Sequence, residues 1–423
     1  MSEQDQKPAH RTARRRSLVG MIGPGLLLAA TGVGAGDLAT GTFVGGLLGT
    51  AVLWAVVVGA AMKFVVTEGL ARWQIATGET LIEGVAARAG CWALWLFLPY
   101  LLLWSFFVGS ALMSATGATL HAMVPVFAEA KTGKIVFGAA ASIVGLVLVW
   151  LGGYRLFEDV MRICIGVMFA TVVLTAILLW PGTGAVLEGL FVPRIPEAGG
   201  EGVTWTLALI GGIGGTLTVL CYGYWLREEG RDAPEDLASC RVDLFTGYAM
   251  TAIFGIAMVI IGSNVNIEGS GAQLLVTLSE RLDLVMGAPG KWLFLAGTFG
   301  AVFSSLLGVW QSVPYLFADS WALLNGTRDT DTRLDTSSKP SRGFLVAIAT
   351  LPMLGLFWRF RDVQMFYAVI GAWLFPILAV TLLIFNGRRA WVGQHFANRP
   401  VTVVALFVVL VFFSYLGLRP YLG

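Results

Sequence analysis

The sequence predicts an all-α polytopic membrane protein folded as one helical bundle, and three observations carry that prediction. The 423-residue chain is 57% hydrophobic and only 13% charged, about half the charge of a soluble globular protein. Its apolar runs reach about 20 residues, the length of a membrane-crossing helix rather than of a barrel strand. Two of these runs are interrupted by clustered glycines, which a span kept only for stability does not need, since glycine costs a helix about 1 kcal/mol per residue.

Residues 1–18 are read as a polar cytoplasmic arm, disordered and carrying Lys7, Arg11, Arg14, Arg15 and Arg16. Arg14-Arg15-Arg16-Ser17-Leu18 has a twin-arginine look, but the apolar run behind it outlasts a signal segment and ten more spans follow. The eleven spans fall at 19–41, 47–71, 92–121, 134–152, 159–180, 204–227, 241–262, 291–318, 343–358, 362–386 and 401–418, the first and sixth being broken. The longer connections are 181–203, 263–290 and 319–342. With the N-terminus inside, inside segments hold 19 of the 28 Lys and Arg residues and outside segments eight, while Lys63 falls within a span. That bias sets the N-terminus in the cytoplasm and the C-terminus outside, in an integral membrane protein of the plasma (inner) membrane.

The first span holds Thr31-Gly32-Val33-Gly34-Ala35-Gly36-Asp37. A charge at mid-membrane costs about 2.5–3.5 kcal/mol even on the lenient scale, and broken backbone survives at that depth only inside protein or beside a wet cavity. Asp37 has two readings. It offers a carboxylate to a cation that also faces the carbonyls from Thr31 to Gly34, or it caps the second half-helix by accepting from the amides of Ala39 or Thr40. The sixth span holds Gly211-Gly212-Ile213-Gly214-Gly215-Thr216, read as a second break rather than a packing face. Gly45-Gly46-Leu47-Leu48-Gly49 is read as a packing face of the small-xxx-small kind. The breaks open two groups of five helices, 19–180 and 204–386, with 401–418 added outside them. Five is odd, so the second group enters from the opposite side, the pattern of an inverted-repeat transporter with its site where the breaks meet.

Other polar positions are ambiguous. Lys63 and Glu68 in the second span read as an ion pair near the interface or a snorkelling lysine, with an inner gate or proton path as the alternative. Glu158 and Asp159 suit the first turn of the fifth span. Ser304, Ser305 and Gln311 line a cavity or bond between helices, and Tyr222, Tyr224 and Trp225 follow the second break toward the cavity. No His-Glu-x-x-His, Ser-His-Asp or Cys-x-x-Cys pattern occurs, neither glycine cluster follows a strand as a phosphate loop does, and the four cysteines are scattered. The chain is therefore read as a non-enzyme with no cofactor, no disulfides and no catalytic residues. A net charge of +2 gives no footing for nucleic acid; the lipid bilayer and a cation or small solute are the expected partners, with the oligomeric state open.

Gly23-Pro24-Gly25-Leu26, Leu38-Ala39-Thr40, Leu53-Trp54 and Ile75-Ala76-Thr77-Gly78 resemble the NRAMP family of divalent-metal transporters. So do Gly152-Gly153-Tyr154-Arg155-Leu156-Phe157-Glu158, Ser304-Ser305 and Leu374-Phe375-Pro376. The resemblance spans nearly the whole chain and implies a LeuT-type 5+5 inverted repeat with an eleventh transmembrane helix. It also marks departures. The family's metal-binding Asp-Pro-Gly-Asn falls on Gly34-Ala35-Gly36-Asp37, and its Met-Pro-His-Asn falls on Gly215-Thr216-Leu217-Thr218. Its acidic pair, linked to proton movement, falls on Leu103 to Phe106. The chain thus resembles a divergent member whose usual soft ligands and proton-coupling residues are gone, which favours harder ions. The expected substrate site is Gly34, Asp37, Gly212, Gly215 and Thr218, with Asp37 the one metal ligand. A carrier of a small organic solute, or a non-transporting sensor or scaffold, is the alternative.

Overall fold

The first helix begins on a proline. Pro24 needs no hydrogen-bond partner at that position and its ring presets the helical φ, so α1 runs Pro24–Gly32 and α2 runs Ala35–Leu48 after a two-residue gap. The computed structural model describes residues 23–196, 201–264, 272–327 and 338–418. The expected N-terminal arm, 1–18, lies outside the described residues.

A short 3-10 turn, Gly49–Val52, leads into α3 (Leu53–Thr77). There follow α4 (Leu81–Ala89), α5 (Trp92–Met123) and a long helical stretch, α6 (Ala130–Leu178), which carries two candidate spans, Ala130–Gly152 and Leu156–Leu178. Then come α7 (Thr183–Phe191) and α8 (Glu201–Gly212), the latter continuing through a gap and a 3-10 turn, Leu217–Leu220, into α9 (Cys221–Glu228). The rest are α10 (Asp236–Ser263), α11 (Ala272–Leu324), α12 (Lys339–Thr350), α13 (Phe360–Ala372), α14 (Leu374–Phe385), α15 (Arg389–Phe396) and α16 (Pro400–Leu418). Among the described residues, ten stretches are long and apolar enough to cross a membrane. The first of them, Thr40–Thr77, takes in the end of α2, so the broken first span is not counted apart from the second.

α4, α7 and α15 fall inside the connections that the sequence predicts. Each has only eight or nine residues, too short to show an apolar run. α4 is nonetheless well specified. Thr80 accepts from the Glu83 amide and Glu83 reaches back to the Thr80 N–H, a reciprocal cap that satisfies two orphan donors. α11 starts earlier than the expected eighth span. Gly287, at φ 72°, breaks its helical geometry near the start of the crossing segment, Met286–Leu324.

Two helix contacts position the breaks. α1 has no cap of its own, and Asp243 of α10 supplies one: its carboxylate accepts from the Gly23 N–H at 2.9 Å and the Gly25 N–H at 2.7 Å. α2 lies against α10 at backbone distance. A Cβ on Gly45 would stand 2.2 Å from the Val259 carbonyl oxygen, and one on Gly262 2.1 Å from that of Thr42. Without a hydrophobic drive between helices in lipid, such close approach is what holds them. The packing role read for this glycine cluster therefore lies at Gly45, whereas Gly46 is exposed. The four cysteines are free, with Cys221 and Cys240 buried and Cys164 half-buried.

Gly45→Ala is expected to destabilise the protein by about 1–3 kcal/mol, the cost of overpacking a tight contact. Gly46→Ala should be neutral or slightly stabilising because alanine favours the helix. Thermal melts of both variants in detergent check this; equal melting temperatures would remove the α2–α10 contact as a determinant.

Candidate functional site at the two helix breaks

α1 closes with the Val33 N–H on the Ala29 carbonyl, and α2 opens with the Leu38 N–H on the Gly34 carbonyl. The last carbonyls of α1 therefore have no helical partner. They face α11, where the Ser305 hydroxyl lies 2.9 Å from the Ala30 oxygen, 3.1 Å from that of Thr31 and 2.9 Å from that of Val33. One hydroxyl has one proton, so it serves these acceptors in turn. Ser304 donates to its own helix at Ala301. Ser305 thus bonds between helices at the break itself, and the carbonyl end expected to face a cation is met by this serine.

The sixth span breaks after Gly212. Gly214 and Gly215 take φ +80° and +79°, the left-handed region that costs any other L-residue about 1–2 kcal/mol. The two breaks touch: a Cβ on Gly32 would meet the Gly214 backbone at 2.8 Å and the Gly215 nitrogen at 3.0 Å. Backbone passes backbone here because neither side carries a side chain.

Lys63 reaches this point from α3. It is completely buried. Its ammonium donates to the Gly211 carbonyl at 2.9 Å and to the Gly215 carbonyl, and sits 4.9 Å from the centroid of the Phe375 ring. The last turn of a helix leaves free carbonyls and a partial negative charge, and the ammonium answers both. The pairing expected with Glu68 does not form. Glu68 instead binds Arg72 at 3.2 Å and Arg241 at 2.8 Å. Their spacing of five residues turns Lys63 and Glu68 to different sides of one helix. Lys63 does not snorkel either, because the carbonyls satisfy it at mid-span.

Asp37 is 1% exposed. Its Oδ1 accepts from the Gly214 N–H at 3.2 Å across the gap, and the Gly34 N–H also faces the carboxylate. The cap envisaged on Ala39 or Thr40 is thus replaced by a bridge joining the two breaks. Its Oδ2 has no partner. Asp37 and Lys63 attract each other through space without ion-pair contact. Thr218 is buried, and its hydroxyl also has no partner.

Beside these groups lies a cavity of about 10 Å³ lined by Thr31, Gly34, Trp104, Leu112, Thr218 and Tyr367, room for about one water-sized species. Of the expected site residues, Gly34 and Thr218 line it, and Asp37 and Gly215 stand at the crossing of the breaks. Gly212 does not join them. It is half-buried, and a Cβ there would find only Thr40 Oγ1, at 3.9 Å. Trp104 and Tyr367 were not foreseen. The Trp104 indole N–H donates to Thr216 Oγ1 at 2.9 Å, and the Tyr367 hydroxyl bonds the same threonine. Among the described residues, no group of three or more His, Cys, Asp or Glu is placed to hold a metal ion.

The aromatic residues after the second break are tied elsewhere. The Tyr222 hydroxyl donates to Asp243 at 3.0 Å, Tyr224 to Asp319 at 2.6 Å, and the Trp225 indole to Gln311 at 2.9 Å. With the Glu68–Arg72–Arg241 cluster and the Arg227–Glu83 pair, they lock the end of the bundle that holds the C-terminal end of α3 and the N-terminal end of α10. Glu158 and Asp159 pair with Arg162 on the surface.

Gly32→Ala is expected to force the breaks apart and lower the melting temperature by several degrees, since about 1–3 kcal/mol of overpacking falls on rigid backbone. Gly212→Ala, with open space around the new methyl, should leave the melt unchanged or raised. If both variants melt alike, the breaks do not depend on their contact.

Comparison with known proteins places this geometry. Residues 25–419 match the family model described as natural resistance-associated macrophage protein-like. The divalent metal cation transporter MntH of Chromohalobacter salexigens is 24% identical over 96% of this chain and 94% of its own length. A mutant form of the Eremococcus coleocola manganese transporter superposes with a TM-score of 0.75 at 16% identity, over 98% of this chain and 90% of that one. MhsT, crystallised with L-phenylalanine, gives 0.61 at 15% identity over 93% and 97% of the two chains. The all-α, inverted-repeat architecture of the LeuT type is shared across these transporters. On the match that runs through nearly its whole length, the chain belongs to the natural resistance-associated macrophage protein-like (NRAMP) family.

Proposed function

We propose that this chain is a secondary transporter that carries a cation across the plasma membrane by alternating access, the two repeats 19–180 and 204–386 moving around the broken first and sixth spans. One observation carries the reading: a fully buried carboxylate, Asp37, bridges the two breaks and leaves its Oδ2 without a partner. An ionisable group at membrane depth is costly and is kept for function. Asp37 is the charged ligand. The Thr218 hydroxyl and the carbonyls near Gly34 complete an oxygen-only set beside the cavity. Oxygen donors suit hard cations such as Mg²⁺, Ca²⁺ or Mn²⁺ better than soft-ligand metals.

The divalent class is supported by the similarity to MntH and the Eremococcus coleocola manganese transporter. Leu103 to Phe106, where the family resemblance expects an acidic pair, carry no titratable group. Transport without that proton route follows from this reading. The Lys and Arg bias supports a cytoplasmic N-terminus and an external C-terminus.

Flux into liposomes loaded with a pH indicator, over a panel of Mn²⁺, Mg²⁺, Ca²⁺, Na⁺ and small organic solutes, identifies the substrate. Asp37→Asn keeps an acceptor for the Gly214 amide while removing the charge. It should reduce uptake of the transported ion to the background of empty liposomes with an unchanged elution profile. Uptake at the level of the unsubstituted protein would end the ligand role of Asp37, and ion binding without flux for any solute would favour a sensor.

A further inference from the structure

The mid-span position of Lys63 has a chemical meaning separate from that of Asp37. The Gly211 and Gly215 carbonyls converge on one point, the face of Phe375 closes it from a third side, and the occupant is a primary ammonium with no solvent exposure. A helix C-terminal carbonyl and a second carbonyl from the break beyond it, backed by an aromatic face and a nearby carboxylate, are the elements of a monovalent-cation seat. An ammonium presents the same charge and a similar radius to those oxygens as a potassium ion does. The Asp37 carboxylate, buried and with its Oδ2 unpartnered, attracts Lys63 through space without touching it.

We propose that Lys63 is a tethered cation: its ammonium permanently fills a monovalent-cation seat in the sixth-span break, so the protein carries its own ion there and binds no free alkali cation at that point. The ammonium holds the α8 carbonyl end in place and balances the charge of Asp37, and the transported species binds beside this built-in ion. The proposal rests on the transporter reading only for where that species sits. The seat itself is defined by the break, Lys63 and Phe375.

Removing the side chain empties the seat. Purified unsubstituted protein, Lys63→Ala and Lys63→Met are melted in choline chloride and, at the same ionic strength, in LiCl, NaCl, KCl or methylammonium chloride. The unsubstituted protein should melt at one temperature in all five. Lys63→Ala should melt lower in choline and recover with a saturable upward shift in at least one alkali cation or in methylammonium, the fragment that the substitution deletes. Lys63→Met, which fills the space with an apolar chain, should be unresponsive. The proposal is overturned if the unsubstituted protein shows the same shift as Lys63→Ala, or if Lys63→Met does. It is equally overturned if Lys63→Ala shows no shift in any cation, whether folded throughout or unfolded throughout. A saturable shift confined to Lys63→Ala, combined with unimpaired flux by Asp37→Asn, would keep the seat and discard the transport role of Asp37.

Discussion

The structure depends on one constraint: at membrane depth, every backbone group released by a broken helix must be satisfied from inside the protein. Two spans are broken here, at 33–34 and at 213–216, and each break frees amides on one side and carbonyls on the other. The partners are few and specific. Ser305 attends the carbonyls of the first break, Lys63 those of the second, and Asp37 takes an amide from each. The bare backbones of Gly32 and Gly214 then let the breaks meet at contact distance.

The supports outside the breaks follow from the same need. α1 is short and uncapped, so its N-terminal amides are held by Asp243 from another helix. Asp243 in turn receives Tyr222, which belongs to α9, the segment just beyond the second break. The start of the first span and the end of the sixth are thus joined through one carboxylate. Any movement that separates α1 from α10 must give up two amide bonds to a charged acceptor, each contributing about 1.5–3 kcal/mol. The cluster of Glu68, Arg72 and Arg241 ties α3 to α10 at the same end. These linkages tie that end of the bundle to the helices that carry the breaks.

Much of this was legible in the sequence, and the reason differs by level. Long apolar runs declare membrane helices because lipid permits little else, and glycine clusters inside such runs declare breaks because helices disfavour them. The first and sixth spans were read correctly for that reason, and Asp37 stood out as a lone acid at depth. Partners were not legible. Whether Ser305 lined a cavity or joined helices, and whether Lys63 met Glu68 or something else, depends on which helix faces which. A lysine and a glutamate five residues apart on one helix look like a pair in a string of letters, but they diverge around the axis. Trp104 was hidden for a further reason: it lies among apolar neighbours, and only its indole N–H, aimed at Thr216, distinguishes it. Gly212 failed in the opposite sense. Its place in a glycine cluster suggests a part in the crossing of the breaks, where Gly214 and Gly215 meet Gly32 and Gly212 does not.

The charges at the breaks constrain what can bind there. A carboxylate alone in a low-dielectric site attracts any cation and favours higher charge. Here Asp37 shares the site with the Lys63 ammonium, so the two together are neutral. The ammonium repels a divalent ion by twice what it repels a monovalent one. A divalent ion gains twice as much from the carboxylate, so the discrimination rests on relative distance: an ion in contact with Asp37 Oδ2 and removed from Lys63 keeps most of the attraction. Lys63 is held on the Gly211 and Gly215 carbonyls and the Phe375 face, out of ion-pair contact with Asp37, and Thr218 and Gly34 line the small cavity beside the breaks. In the transporter reading proposed above, the carbonyls that hold the lysine bear on cation selectivity as much as the carboxylate does, because they set how far the built-in charge stands from an arriving one.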